Sequence, residues 1–292
     1  MFTHDTCPIC EGTEFEPFLK AVDYTVSNDT FQIIKCKSCG FHFTNPIPSE
    51  DRIGDYYKSE SYISHSSTNR GLINKIYQRV RKYTLRQKLK LVQKWSNGDR
   101  VLDIGAGTGH FLSTCQNAGY KVLGLEPDQD ARRFAETHLD VKLKPIDELH
   151  NLVTNSQDLI TMWHVLEHVY HLRKDVKQIV DILKDDGTLI VAVPNMNSFD
   201  AQHYGSFWAA YDLPIHLYHF QPNDIKRLFD QFGMEVKEIL PMKFDSYYVS
   251  LLSEKYKDGN MVRAFWNGWR SNIKAKSDSY SSQIYILKKK SQ

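Results

Sequence analysis

The chain is short of cysteine and proline, and it has no long apolar run. Five cysteines in 292 residues are too few for a scaffold built on disulfides. Ten prolines and 15 glycines exclude a collagen-like or low-complexity chain. No apolar stretch approaches the roughly 18–20 residues needed to cross a bilayer, so no membrane partner is expected. The opening MFTHDTCPIC lacks the basic flank and apolar stretch of a secretory leader, which predicts a cytoplasmic protein. An excess of one charge is missing too. Thirty-seven Lys and Arg against 35 Asp and Glu leave +2, so no global field points to nucleic acid. What is there, 41% hydrophobic and 25% charged residues, is the make-up of a globular chain long enough for one large domain and an appendage.

Four of the five cysteines form two C-x2-C knuckles, Cys7-Pro8-Ile9-Cys10 and Cys36-Lys37-Ser38-Cys39, with 25 residues between them. Each knuckle can turn both thiolates to one point, and two knuckles complete a tetrahedral S4 shell. Phe31 and Ile33 alternate with Gln32 and Ile34 as in a strand, which suits a zinc ribbon over residues 1–45. A module of that size buries little core, so structural zinc is expected to stabilise it. Disulfides do not suit the expected compartment, and no βαβ pattern surrounds the knuckles to support a redox role. With all four positions Cys, no open site remains for chemistry.

Residues 46–96 read as a linker or lid followed by a helix. Thr44-Asn45-Pro46-Ile47-Pro48-Ser49 is a turn, and Tyr56, Tyr57 and Tyr62 stand in a polar stretch that is either a surface strap or a lid. Residues 70–95 have helical periodicity, with nine Lys or Arg and no acid between Arg70 and Lys94. That basic face reads as a solvated surface, or as a docking face for an acidic carrier or a nucleotide.

From Asp99 the pattern alternates strand and helix: strands at 100–104, 121–125, 158–163, 188–193, 234–240 and 283–287, with helices between and a helical insertion at about 243–280. Alternating βα units predict a parallel sheet with helices on both faces and ligands at the carboxyl ends of its strands. Val101-Leu102-Asp103-Ile104-Gly105-Ala106-Gly107-Thr108-Gly109-His110 carries the informative loop. Its glycines permit tight turning and close approach of a ligand to bare backbone. His110 occupies the place of the third glycine in a dinucleotide fingerprint, and the G-K-[S/T] of a phosphate loop is absent. Glu126 at the end of the next strand can accept both hydroxyls of a ribose, and Asp103 is placed for a cation. A ligand with a free ribose, an ammonium group and no phosphate fits, and S-adenosylmethionine (SAM) is that molecule.

Residues 100–240 resemble a class I SAM-dependent methyltransferase. The motifs that carry the resemblance are Val101–Phe111, Leu123–Asp128, Asp158–Val169 and the turn Leu183-Lys184-Asp185-Asp186-Gly187-Thr188. The resemblance implies a Rossmann-like, seven-stranded α/β sheet over residues 97–292. It also implies cofactor contacts from Asp103, Gly105, Ala106, Gly107 and His110, from Glu126 and Pro127, from Ile146 and Asp147 at the adenine, and from Trp163 and His164. With the ribbon and Tyr56-Tyr57 in front, the chain is similar to a bacterial subfamily, of methyltransferase type 23, whose better-understood relatives include deoxysugar C-methyltransferases. Those have a further carboxy-terminal domain for which 292 residues leave no room, so their reaction is not carried over. The expected partner is a small-molecule acceptor such as a sugar or other metabolite, free or linked to a nucleotide or carrier.

Methyl transfer is an in-line displacement in which positioning alone can supply up to about 7–11 kcal/mol. A base adds about 10²–10⁴-fold where the acceptor must lose a proton. Two histidine clusters follow strands at the expected cleft: His164, Glu167 and His168, and His216, Tyr218 and His219. His216 is read as the general base and His164 as shaping the site, with Tyr218 and His219 as further candidates. Glu167 and His168 read as a structural pair. A second reading makes His164, Glu167 and His168 ligands of a divalent metal. The motif is similar to the Glu-x-x-Glu-His of some O-methyltransferases and of RNA terminal 2′-O-methyltransferases, with His164 in place of the first Glu. One carboxylate with two imidazoles favours a transition metal over Mg²⁺. The near-neutral charge and the lack of an aromatic-basic repeat do not support RNA. A third reading is a SAM-binding module that recruits partners without turnover.

Overall fold

The computed structural model describes residues 1–57, 72–276 and 278–290. Tyr62 and Arg70 therefore lie outside the described residues. Three strands open the chain: β1 (Phe15–Val22), β2 (Thr30–Cys36) and β3 (His42–Thr44). Helix α1 (Leu72–Trp95) leads into β4 (Arg100–Ile104), α2 (His110–Asn117), β5 (Lys121–Leu125), α3 (Gln129–Leu139), the short β6 (Leu143–Lys144) and β7 (Gln157–Trp163). Then come α4 (Leu172–Ile182), β8 (Leu183–Pro194), α5 (Phe199–Tyr204), β9 (Tyr218–His219), α6 (Pro222–Asp230), β10 (Met234–Pro241), α7 (Asp245–Tyr256), α8 (Met261–Lys274) and β11 (Ser282–Lys289).

Seven strands form the main sheet in the order β10-β11-β8-β7-β4-β5-β6. β4 to β8 run parallel, as the alternating pattern predicts. The carboxy-terminal edge departs from that expectation. β11 pairs antiparallel with both β8 and β10, because the two-helix insertion α7–α8 returns the chain to the end of the sheet where β10 stops. β7 is buried at six of its seven positions. It is covered on both faces, which is why its sequence reads as an uninterrupted run and not as an alternation.

The helices follow from local signals. α4 buries Leu172, Val176, Ile179 and Val180, an i, i+4, i+7, i+8 stripe. α6 starts with Pro222 at its first turn and a reciprocal cap between Gln221 and Asp224. α3 is capped by the Asp128 carboxylate, which accepts from the Ala131 amide at 2.6 Å. Along α1, Leu85, Leu89, Leu91 and Trp95 pack around the buried Val92 against the sheet.

The amino-terminal module is joined to the sheet domain by backbone. β1, β2 and β3 form an antiparallel sheet whose fourth strand is β9, with His42 opposite His219 and Phe43 opposite Tyr218. Phe41 and Phe43 share one buried cluster with Leu217, Tyr218 and Phe220. The Thr44 hydroxyl lies 2.9 Å from the His216 carbonyl and 3.0 Å from His219 Nε2. The carbonyl can only accept, so the hydroxyl donates to it and His219 Nε2 carries the hydrogen that Thr44 accepts. Thr44→Val should therefore leave a buried carbonyl and a buried N–H unpaired. The expected loss is about 1–3 kcal/mol, read as a lower denaturant midpoint at unchanged m-value.

Candidate functional site

The carboxyl ends of β4, β5, β7 and β8 open on one side of the sheet, and the residues singled out from the sequence converge there to different degrees. The loop after β4 is held by backbone: the amides of Gly105 and Ala106 both donate to the Leu125 carbonyl. Gly105, Gly107 and Gly109 all have positive φ. A Cβ on Gly105 would lie 2.4 Å from a Val165 methyl, so the bare backbone there admits the loop after β7. Gly107 has nothing within 4 Å of the same position. The close approach of a ligand is open at Gly107 and filled by Val165 at Gly105.

Glu126 follows β5 and is 7% exposed. Its Oε2 accepts from the Gly107 amide at 2.7 Å and its Oε1 from the Asp128 amide at 3.0 Å. Burial raises its pKa, and those two amides oppose the shift. Each oxygen keeps a lone pair free, so the carboxylate is fixed in place and still able to accept a diol. Asp103 is buried, with Oδ1 accepting from the Thr161 hydroxyl at 2.6 Å. Burial pushes its pKa up to about 7, against the Thr161 bond and the nearby Lys88 ammonium.

Lys88 was not foreseen as a site residue. It belongs to the basic face of α1, yet its Nζ sits 4.2 Å from the centre of the Trp163 ring, and Asp103 and Asp245 both act on it electrostatically. Arg81, two turns earlier on the same face of α1, reaches His110 Nε2 at 3.1 Å. The basic face of α1 is thus partly turned onto the cleft. Trp163 has a buried Nε1 without a hydrogen-bond partner among the described residues, and Phe111 meets its ring edge-on at 5.6 Å. Ile146 and Asp147 open a short helical turn after β6, with Ile146 half-buried and Asp147 exposed. The Pro127 carbonyl accepts from Arg132 at 2.6 Å, and Ala106, within the glycine loop, packs against the buried cluster that includes Val101, Phe111 and Leu112.

Four titratable groups gather after β7 and before β9. His164 has φ of 57°; its Nε2 lies 2.9 Å from Asp245 Oδ2 and its Nδ1 3.4 Å from Glu167 Oε1. Burial alone would lower its pKa. The two carboxylates outweigh it and raise the value to about 10, so the ring is an imidazolium. Glu167 is fully buried, and neither of its oxygens has a hydrogen-bond partner among the described residues. The surrounding imidazoles hold its pKa down in spite of burial. His216 Nδ1 donates to the Ala210 carbonyl at 2.9 Å, its Nε2 lies 3.9 Å from Asp212 Oδ2, and burial lowers its pKa. His168 Nδ1 lies 3.0 Å from both the Ile215 carbonyl and the Tyr57 hydroxyl, and its ring meets that of His216 edge-on at 4.6 Å. The tyrosine-bearing segment before α1 thus contributes Tyr57 to this cluster, while Tyr56 packs on Phe31.

The metal-type grouping differs from the one the motif suggested. Glu167, His168 and His216 each offer one ligand atom within 4.8 Å of the others. His164 turns to Asp245 instead, because the insertion brings that carboxylate to it. Tyr218 and His219 are also placed apart from the cluster. Both are fully engaged in the sheet junction: the Tyr218 hydroxyl donates to the Tyr170 carbonyl at 3.3 Å, and burial holds His219 neutral against Thr44.

The cysteines converge as the knuckle spacing requires. Sγ atoms of Cys7 and Cys39, and of Cys10 and Cys36, are 3.6 Å apart. No disulfide joins them, and the four lie within 4.8 Å of one another. A tetrahedron with Zn–S of about 2.3 Å has an S–S edge of roughly 3.8 Å, so the spacing is that of a thiolate cage.

A sequence model described as a methyltransferase domain matches residues 77–239, more than half of the chain. The ubiquinone biosynthesis O-methyltransferase of Glaesserella parasuis is 30% identical over 168 residues, covering 51% of this chain and 70% of its own. The protein of the same name from Aromatoleum aromaticum is 26% identical over 177 residues, covering 56% and 73%. Among solved structures, a SAM-dependent methyltransferase from Archaeoglobus fulgidus superposes with a TM-score of 0.50 at 20% identity, over 72% of this chain and 94% of that one. The [4+2]-cyclase SpnF does so with a TM-score of 0.51 at 15% identity, over 71% and 81%. These structural likenesses concern the fold alone.

The electrostatics at β4 give a pH prediction. Asp103 is uncharged below about pH 7 and attracts an ammonium only when ionised. SAM affinity measured by calorimetry should therefore strengthen as pH rises through about 7, and Asp103→Asn should flatten that dependence.

Proposed function

The chain belongs to the methyltransferase-domain family, and from that premise we propose that it transfers the methyl group of SAM to an oxygen of a small-molecule acceptor, with His216 as general base. The relatives named O-methyltransferase support oxygen as the receiving atom. In the displacement a C–O bond forms, the C–S bond breaks to leave the thioether, and the acceptor proton moves to His216 Nε2. One observation carries the assignment: His216 is held neutral by burial, with its Nδ1–H fixed on the Ala210 carbonyl, so the lone pair is on Nε2. Asp212 and the buried Glu167 stand ready to stabilise the imidazolium that forms. His164 cannot take this role, since two carboxylates keep it protonated. It acts as a positioning residue that ties the loop after β7 to the start of α7. SAM itself fits Glu126, which presents a fixed carboxylate, and the open backbone at Gly107.

A second reading is favoured by the unpartnered oxygens of Glu167. With Nδ1 of His168 and of His216 each on a backbone carbonyl, each neutral ring carries its lone pair on Nε2, the arrangement that outer hydrogen bonds give metal-ligating histidines. Glu167, His168 and His216 would then hold a transition-metal ion, which would lower the pKa of the acceptor hydroxyl. The four cysteines are proposed to hold structural zinc.

His216→Ala should lower kcat by about 10²-fold or more and leave SAM affinity within about twofold. The wild-type acidic limb should fall below the ordinary histidine value of about 6.5, since the base works only when unprotonated, and this limb should vanish in the variant. Treatment with a chelator that leaves the melting temperature unchanged should leave turnover unchanged. Loss of turnover without loss of fold would favour the metal reading. Cys36→Ser should lower the melting temperature by more than about 5 °C, with zinc content read by atomic absorption.

A further inference from the structure

The two helices inserted before the last strand carry their faces the wrong way round for a surface hairpin. Towards the protein α7 presents Ser246, Ser250 and Ser253, and α8 presents Ala264, Gly268 and Ser271. A Cβ on Gly268 would lie 2.8 Å from the Tyr247 Cα, so the helices meet nearly backbone to backbone. Outward, α8 shows Val262 at 79% exposure, Phe265 at 64%, Trp266 at 54%, Trp269 at 39% and Ile273 at 60%. Spaced i, i+4, i+7 and i+11 from Val262, four of these fall on one line of the helix. Phe244, just before α7, and Leu251 on α7 are exposed as well, and the ring of Tyr247 on α7 lies 5.3 Å from that of Phe265. A contiguous apolar face of this kind marks a binding surface, where scattered exposed residues would not.

Charge selects the occupant. Arg263, Arg270 and Lys274 follow one flank of the apolar line at i, i+7 and i+11, and α8 contains no acid. Across residues 243–276 there are seven Lys or Arg against three acids. Of those acids Glu254 is buried and Asp245 is paired with His164. The face continues onto α1: Phe244 meets Tyr83 edge-on at 5.6 Å, and Arg79, Lys82, Arg86 and Lys90 of that helix are exposed. A second copy of the chain would set one cationic flank against another. A bilayer rich in anionic headgroups satisfies both halves of the surface, with Trp and Phe at the headgroup boundary and Lys and Arg on the phosphates.

We infer that the α7–α8 hairpin, flanked by the exposed face of α1, docks on an anionic lipid surface without crossing it. No helix of the described residues is long and apolar enough to span a membrane, and none is needed, because the contact is made in the plane of the interface. This inference is independent of the identity of the base and of the acceptor.

The test is co-sedimentation of the full chain with vesicles of mixed phosphatidylglycerol and phosphatidylcholine, and with vesicles of phosphatidylcholine alone, at low and high salt. Binding is expected to the mixed vesicles, weakened about tenfold or more by salt or by removing the anionic lipid. The double substitution Phe265→Ser, Trp266→Ser should abolish it. Arg263→Glu with Lys274→Glu should weaken it by more than about tenfold. Both variants should bind SAM as the wild type does, which shows that they are folded. Failure to bind either vesicle, or binding indifferent to these substitutions, overturns the inference. A dimer that the Phe265 and Trp266 substitutions dissociate, in a protein that ignores vesicles, assigns the face to a second copy.

Discussion

Glu167 is a carboxylate removed from solvent, with no hydrogen-bond partner for either oxygen among the described residues, and the side chains at the carboxyl end of the sheet are arranged around that charge. An isolated buried charge costs several kcal/mol, and only a close counter-charge offsets it. His164 supplies one at 3.4 Å and is itself kept protonated by Asp245 on its other side. A chain of alternating charge therefore runs from α7 through the loop after β7 to the two neutral imidazoles, His168 and His216. The insertion reaches this cluster through Asp245, the first residue of α7, without which His164 would lose the stronger of its two partners, and through Ser253, whose hydroxyl accepts from the Ala209 amide beside the carbonyl that holds His216. Burial lowers the pKa of both His216 and His164, and they differ in charge because only His164 has close carboxylates on both sides.

Much of this was legible in the sequence, for reasons specific to each segment. The glycine loop, the place of Glu126 after β5 and the convergence of the cysteine knuckles were readable because they depend on spacing along the chain. β7 was readable because a strand covered on both faces has an unbroken apolar run. What could not be read depended on packing between distant segments. Lys88 sits in a stripe of nine cations, and nothing in its neighbours distinguishes it from the exposed Lys90. Only the crossing of α1 over the cleft turns it onto Trp163. His164 was aligned with a metal motif, and it took the folded insertion to bring Asp245 to it. Tyr218 and His219 belonged by position to the histidine cluster, but β9 pairs with β3, an association between residues about 175 apart that no local pattern encodes.

The aromatic residues of the insertion make the same point from the other direction. Trp208 and Tyr211 are buried in a core shared with Phe31 and Ile33 of the amino-terminal sheet, whereas Phe265, Trp266 and Trp269 face outward. Composition treats the two groups alike. The small residues opposite them, Ala264, Gly268 and Ser271, were the available signal, because a helix that buries its small side chains leaves its large ones outside.

The sheet shared between the amino-terminal module and the loop of His216 limits how far the chain can be treated as a string of exchangeable parts. Severed after residue 45, the larger portion would carry Tyr218 and His219 as an open strand edge with unpaired amides and carbonyls, and Phe220 and Leu217 would face water. A transplant of the cysteine-bearing module from another protein would have to reproduce the partners of Phe43 and Thr44 as well as the ligand cage. The boundary that matters for recombination runs through the middle of a sheet, not along the linker that follows it.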